Sequence, residues 1–171
     1  GSPGAPDPAR TLTAADVTSQ PGAVPIVFLV AEQRPGWLKV HLPVRPNGST
    51  GWVRAGDVQV SRTTFRVVVD LAAHRITVYD DDEVVLAEPV GVGRSDRPTP
   101  GGVYYIKELL QPPSPGGPYG PYAYGLSGYS NVLQRFGGGQ GVIGIHGTNE
   151  PSAIGQDVSS GCIRMSNDQI T

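Results

Sequence analysis

Three apolar runs in immediate succession constrain the fold more than any other feature. They are "FRVVVDLAA" at 65–73, "RITVYD" at 75–80 and "EVVLAEPVGVG" at 83–93. β-branched residues dominate each run, and such side chains fit a pleated, extended backbone. The bends between them, "HR" and "DDDE", are short and polar. A parallel neighbour would need a crossover of a dozen or more residues, so the three segments are expected to form an antiparallel meander. An earlier stretch, "WLKVHLPV", sets Leu38, Val40, Leu42 and Val44 against Trp37, Lys39, His41 and Pro43. That period of two predicts a strand with one buried face. Asn47-Gly48 follows, and both residues tolerate the positive φ of a tight hairpin turn, so the chain should fold back into "GWVRAGDVQV". Asn47 also begins a formal N-x-S glycosylation sequon; the turn is the reading adopted.

Gly and Pro number 24 and 17, about twice their usual joint share. Without a collagen period, that excess means many turns, many short strands and little helix. The predicted architecture is mainly β. Residues 1–13 read as a tag scar (Gly1-Ser2) and a Pro/Gly/Ala linker, 14–62 as a small barrel-like β module, and 63–171 as a β-rich, sandwich-like second domain. The beginning "GSPGAPDPAR" has no apolar core of the signal-peptide kind. No stretch reaches the ~18 apolar residues of a membrane span. The formal net charge of -2, with no basic run, gives no footing for nucleic acid. Near the end, Ser166-x-x-Gln169 is a capping box announcing a helix about Asn167. The chain stops at Thr171, one turn later, so the second domain is expected to continue in a longer protein.

The chemistry-bearing residues gather in "GIHGTNEPSAIGQDVSSGCIRMSN", residues 144–167. It holds the single cysteine, Cys162, and one of three histidines, His146. One cysteine forbids an internal disulfide and any multi-cysteine zinc site. A free thiol is mostly protonated at neutral pH; a neighbouring imidazole can take its proton, which suffices for acyl transfer through a thioester. Gly161 before Cys162 permits a tight turn whose N–H groups could face an oxyanion. Set against this, a lone cysteine often behaves as a small buried hydrophobe. A zinc site from His146, Asp157 and Cys162 matches no known spacing. "GVGRSDRPTPGG" lacks the G-K-[ST] ending of a phosphate loop and leads into a strand, "VYYIKELL". Residues 111–140 form a long Gly/Pro/Tyr-rich loop in which Tyr119, Tyr122, Tyr124 and Tyr129 either wall a groove or pack the loop down. His41 and His74 read as solvated, and Asp80–Glu83 as a turn without the spaced oxygens of a calcium loop.

"IHGTNEPSAIGQDVSSGCIRMSN" resembles the signature of the L,D-transpeptidase (YkuD-type) catalytic domain: a histidine, a loop, then S/T-x-G-C-hydrophobic-R and a nearby Asn. The upstream strands and "RPTPGG" resemble that family's opening strands and its T-P-x-G turn, so the likeness runs over about residues 64–171. It implies peptidoglycan remodelling outside the bacterial membrane through a cysteine acyl-enzyme. Cys162 would be the nucleophile and His146 the base, with the Gly147 carbonyl orienting the ring. Backbone N–H groups of Gly161 and Cys162 would form the oxyanion hole. Ser160, Arg164, Asn167 and Tyr129 are the substrate-binding candidates. The implied substrates are stem peptides of peptidoglycan, joined 3→3 with release of D-Ala or cut with water, and carbapenems are the implied inhibitors. Neither metal nor organic cofactor is implied. Many members carry His where Ser160 stands. "GWLKV" and "GWVR" resemble Src-homology-3-like modules found beside cell-wall enzymes. Two other readings use the same residues. A wall-binding protein with an idle catalytic domain would leave Cys162 slow to label. A papain-like protease places its cysteine before its histidine, the reverse of the order here.

Overall fold

The computed structural model describes residues 3–4, 10–18, 25–136 and 139–171; part of the expected 1–13 linker lies outside them. The element order is α1 (Ala14–Val17), β1 (Val30–Arg34), β2 (Trp37–His41), β3 (Thr50–Arg54), β4 (Phe65–Asp70), β5 (Arg75–Asp80), β6 (Glu83–Pro89), β7 (Val92–Gly93), β8 (Ile106–Leu110), β9 (Ala123–Tyr129), β10 (Val142–His146), β11 (Asp157–Ser159), β12 (Ile163–Arg164) and α2 (Asn167–Ile170). The protein is mainly β, with short strands, as the turn-rich composition requires.

The N-terminal strands form a three-stranded antiparallel sheet, β1-β2-β3. The β2–β3 hairpin pairs Trp37 with Arg54 and His41 with Thr50, around the predicted Asn47-Gly48 turn. Leu38 and Val40 are each 2 % exposed, so the alternating face is the buried one. Gly48 has φ +81, the conformation the turn demands. The strand after the turn is shorter than "GWVRAGDVQV": it gives way to a single 3-10 turn at Ala55–Asp57.

The meander is present as β4-β5-β6, all antiparallel. Its third run is broken in two. β6 ends at Pro89, which has no N–H for a ladder, and β7 leaves to pair in parallel with β11. The second main sheet has the order β12-β10-β9-β8. Ile76, Val90, Val92, Leu126, Ile143, Ile145, Ile163, Met165 and Ile170 meet in one apolar core. Burying each large aliphatic side chain contributes about 1.5–3 kcal/mol, so this cluster is the main tie between the sheets. The predicted helix α2 is capped by Ser166, whose side chain accepts from the Gln169 N–H, and it seats Ile170 in that core.

Candidate active site

The geometry of the site follows from one pairing. β10 and β12 lie side by side in parallel, with Ile145 opposite Ile163 and His146 opposite Arg164. Paired residues point to the same face of a sheet, and faces alternate along a strand. Ile145 and Ile163 both enter the core. The other face therefore receives His146 and Arg164, and Cys162 arrives on it opposite Gly144. A parallel pair needs a long crossover; residues 147–161 supply it. That is why the chain places the two residues close in sequence yet not adjacent: His146 closes β10 and Cys162 leads into β12, its parallel neighbour.

His146 is 5 % exposed. Its Nδ1 lies 2.5 Å from the Gly147 carbonyl oxygen. A carbonyl only accepts, so Nδ1 carries the proton and Nε2 is left as the base. The Tyr119 ring stands edge-on to the imidazole, with centroids 5.0 Å apart. Gly147 is held by packing: a Cβ there would lie 2.4 Å from Asn167 Oδ1 and 2.9 Å from Gly120 Cα. Asn167 Oδ1 accepts from the Thr148 N–H at 2.8 Å, pinning the chain just after the histidine.

The turn before Cys162 is tied by Ser159, which is 2 % exposed. Its hydroxyl donates to the Cys162 carbonyl at 2.5 Å and accepts the Gly161 N–H at 3.1 Å. Gly161 has φ +119, a conformation that side chains resist. Burial pushes the Cys162 thiol up from its ordinary value, partly offset by the Gly144 backbone and the Arg164 charge. Burial pushes the His146 imidazole down; the Gly147 carbonyl opposes this and the Arg164 charge adds to it. Both shifts favour a neutral thiol beside a neutral imidazole. The two residues share a pocket of about 150 Å³ with Tyr119, Leu133, Phe136, Ile143, Ser160 and Arg164.

The family model for the L,D-transpeptidase catalytic domain (YkuD) matches residues 64–171. The chain belongs to the L,D-transpeptidase family. A relative from Bacillus licheniformis bearing the name L,D-transpeptidase YkuD is 40% identical over 103 residues, 60% of this chain and 54% of that protein. Its namesake from Bacillus subtilis is 36% identical over 106 residues, 62% of this chain and 56% of that one. The chain thus spans about half the length of the curated relatives it matches. Among solved structures, the L,D-transpeptidase LdtMt1 in complex with imipenem aligns with TM-score 0.47 and 21% identity, covering 78% of this chain and 59% of that chain.

Within this L,D-transpeptidase domain the other candidate residues fall into distinct places. Ser160 lines the pocket and its hydroxyl accepts from Arg97 Nη1 at 3.4 Å. Arg164 also lines it, while its Nη1 donates to Glu150 Oε2 at 2.6 Å. It is an ion-pair member and a source of positive potential at the sulfur at once. Asn167 holds backbone through its Oδ1 bond from the Thr148 N–H.

One expectation is corrected. The Gly161 N–H is committed to Ser159 Oγ, because the turn needs that bond to close; it does not face the pocket as an oxyanion donor. Tyr129 is 3 % exposed, and its hydroxyl donates to the Pro43 carbonyl of the N-terminal sheet at 2.6 Å. It is a buried contact between the two parts of the chain that also lines the wider cleft holding His146 and Cys162, and Tyr119 borders His146 directly. Neither remaining histidine is simply solvated. His74 sits 2.9 Å from Asp157 Oδ1, and His41 Nδ1 is buried without a hydrogen-bond partner among the described residues. Asp157 is thus engaged by His74, and among the described residues no cluster of three His, Cys, Asp or Glu side chains could hold a metal. Sequence reasoning missed Ser159 and Glu150. The hydroxyl-rich "SSGC" run was the one available sign of the first.

Proposed function

We propose that this chain is a peptidoglycan L,D-transpeptidase working through an acyl-enzyme on Cys162. The observation that carries the proposal is the parallel β10–β12 pairing, which delivers the unprotonated Nε2 of His146 and the thiol to one face of one pocket. The neutral resting pair defines how the step runs. A tetrapeptide stem enters with the carbonyl of its third residue against the sulfur. His146 Nε2 takes the thiol proton as sulfur adds to that carbonyl. The negative charge on oxygen meets the Cys162 N–H, and the Arg164 charge favours the anionic state. Collapse breaks the amide bond, and the imidazolium returns its proton to the departing D-Ala amine. The thioester then passes its acyl group to the side-chain amine of a second stem's third residue, forming a 3→3 cross-link. Water in the same place gives carboxypeptidase activity.

Carbapenems present a strained amide to the same thiolate and stay attached after the ring opens. The substrate places the enzyme outside the bacterial membrane; among the described residues no helix is long and apolar enough to cross one. The test is an intact mass after incubation with a carbapenem, followed by peptide mapping. A single adduct on Cys162 is expected, absent in Cys162→Ala and formed ~10²–10⁴-fold more slowly in His146→Ala. Full-rate acylation in either variant, or no adduct on the folded chain, would overturn the assignment.

A further inference from the structure

The hairpin between β2 and β3 does more than turn the chain. Arg45 donates from Nη1 to the Ser130 carbonyl at 2.6 Å, and from Nη2 to the Leu133 and Gln140 carbonyls at 2.9 and 3.0 Å. Its guanidinium lies over the Tyr129 ring, 4.8 Å from the centroid. Asn47 adds a two-way bond to the Tyr129 backbone: Nδ2 donates to its carbonyl at 2.7 Å and Oδ1 accepts its N–H at 2.9 Å. One planar fork thus holds three carbonyls from the domain that carries Cys162. An ammonium could not match that geometry.

Those carbonyls lie at the two ends of the segment that leaves β9 and enters β10. Ser130 N–H donates to the Gly141 carbonyl at 2.8 Å, closing the neck. Gly141 has φ +69, and a Cβ there would come 2.3 Å from the Leu133 carbonyl and 3.1 Å from Arg45 Nη2. The neck is therefore packed around the arginine, with no room for a side chain. Beyond it, Leu133 and Phe136 form a wall of the pocket that holds His146 and Cys162. Phe136 is 48% exposed, so core packing does little to hold it; a two-way backbone pair with Gly139 and the neck beneath that pair hold its place.

We propose that Arg45 is a positioning residue for the reaction at Cys162. From the N-terminal sheet it fixes the apolar wall made by Leu133 and Phe136, and so decides how a bulky donor seats against the thiol. The N-terminal part of the chain then shapes the active site directly. This rests on Cys162 being the acylated nucleophile.

The test compares two reagents on the whole chain carrying Arg45→Met or Arg45→Lys. A carbapenem must seat against the wall; iodoacetamide needs only the thiol and its base. Arg45→Met is expected to slow carbapenem acylation ~10- to 100-fold, chiefly through weaker saturation, while iodoacetamide labelling and its pH profile stay within about twofold. Arg45→Lys should recover only part of the loss. Amide hydrogen exchange in residues 130–136 and 139–141 should rise in Arg45→Met. Equal losses with both reagents would overturn the proposal, since the arginine would then be a general stabiliser. Unchanged exchange in that segment would overturn it too. If iodoacetamide labels the unmodified chain and a carbapenem does not, acyl transfer at Cys162 fails as a reading, and the exchange result still decides whether Arg45 holds the wall.

Discussion

Ser159→Ala removes one oxygen and should disturb both stability and chemistry. That oxygen donates to the Cys162 carbonyl at 2.5 Å and accepts from the Gly161 N–H at 3.1 Å. The residue is 2 % exposed, so water does not readily replace it. Each backbone group left unpaired in such a place costs about 1–3 kcal/mol. The two groups share one tight turn and relax together, so their costs do not simply add, and ~2–4 kcal/mol is the expected total. For a chain of this size each kcal/mol moves the melting midpoint by ~2–4 °C, which makes the fall roughly 5–15 °C. Gly161 sits at φ +119, and the bond from its N–H is part of what holds it there. With the turn released, the sulfur should lose its register with Nε2, slowing carbapenem acylation ~10- to 100-fold. Melting followed by circular dichroism gives the first number. Acylation measured well below both midpoints gives the second, free of unfolding. A midpoint unchanged from the unmodified chain would refute the assignment of Ser159 as the tie of the nucleophile turn.

The pH profile tests the neutral pair. His146 ionises below its ordinary 6.5 and Cys162 above its ordinary 9.0, so acylation should be flat between those values and fall only on the acid side; a rate climbing steadily to pH 9 would show that free thiolate is the attacking species. Stability carries the same sign on the acid side. The unfolded chain binds a proton at this histidine more readily than the folded one, so stability should be lost as pH drops from 6.5 toward the lowered value, and denaturant titrations of the protein and of His146→Gln should diverge there. Gly147→Ala pushes a methyl against Asn167 Oδ1, and overpacking of this kind costs ~1–3 kcal/mol. It should also loosen the carbonyl that holds the imidazole, so acylation should slow more than in Asn167→Ala; a wild-type rate in Gly147→Ala would count against that carbonyl as the ring's anchor.

Local signals made much of this fold legible. The meander could be read because its bends are too short for anything else, and the β2–β3 hairpin because Asn47-Gly48 admits few conformations. The pairing of Cys162 with His146 could be read because few residues in the chain carry such chemistry. What stayed hidden depends on contacts between distant segments. Asn47 fits its turn, yet its carboxamide serves Tyr129, far along the chain. Tyr129 lies at the end of a strand in a tyrosine-rich region, and only the arrival of Pro43 and Arg45 makes it a buried interface residue. In β8 the pattern is inverted: Lys107 and Glu108 are 6 % and 3 % exposed, while Ile106 and Leu109 are 43 % and 53 %. No periodicity predicts that. Lys107 is drawn inward by Glu108 at 3.2 Å and by the Val17 carbonyl of α1 at 2.5 Å. The role of the Gly161 N–H was equally out of reach, because sequence shows a glycine and not which oxygen its amide will find.

The protonated, half-buried sulfur has a consequence for how the protein meets oxidants. Thiolates attack peroxides and small disulfides, at a rate that follows the thiolate fraction and its exposure. Cys162 is half-buried, and its raised ionisation leaves little thiolate at rest. In the mechanism proposed, its charge develops only as an electrophile in the pocket is attacked and Nε2 takes the proton. The desolvation that raises the thiol's ionisation thus guards the only cysteine against oxidation, and under the proposed mechanism the reactivity a permanent thiolate would squander on chance oxidants is kept for the acyl donor.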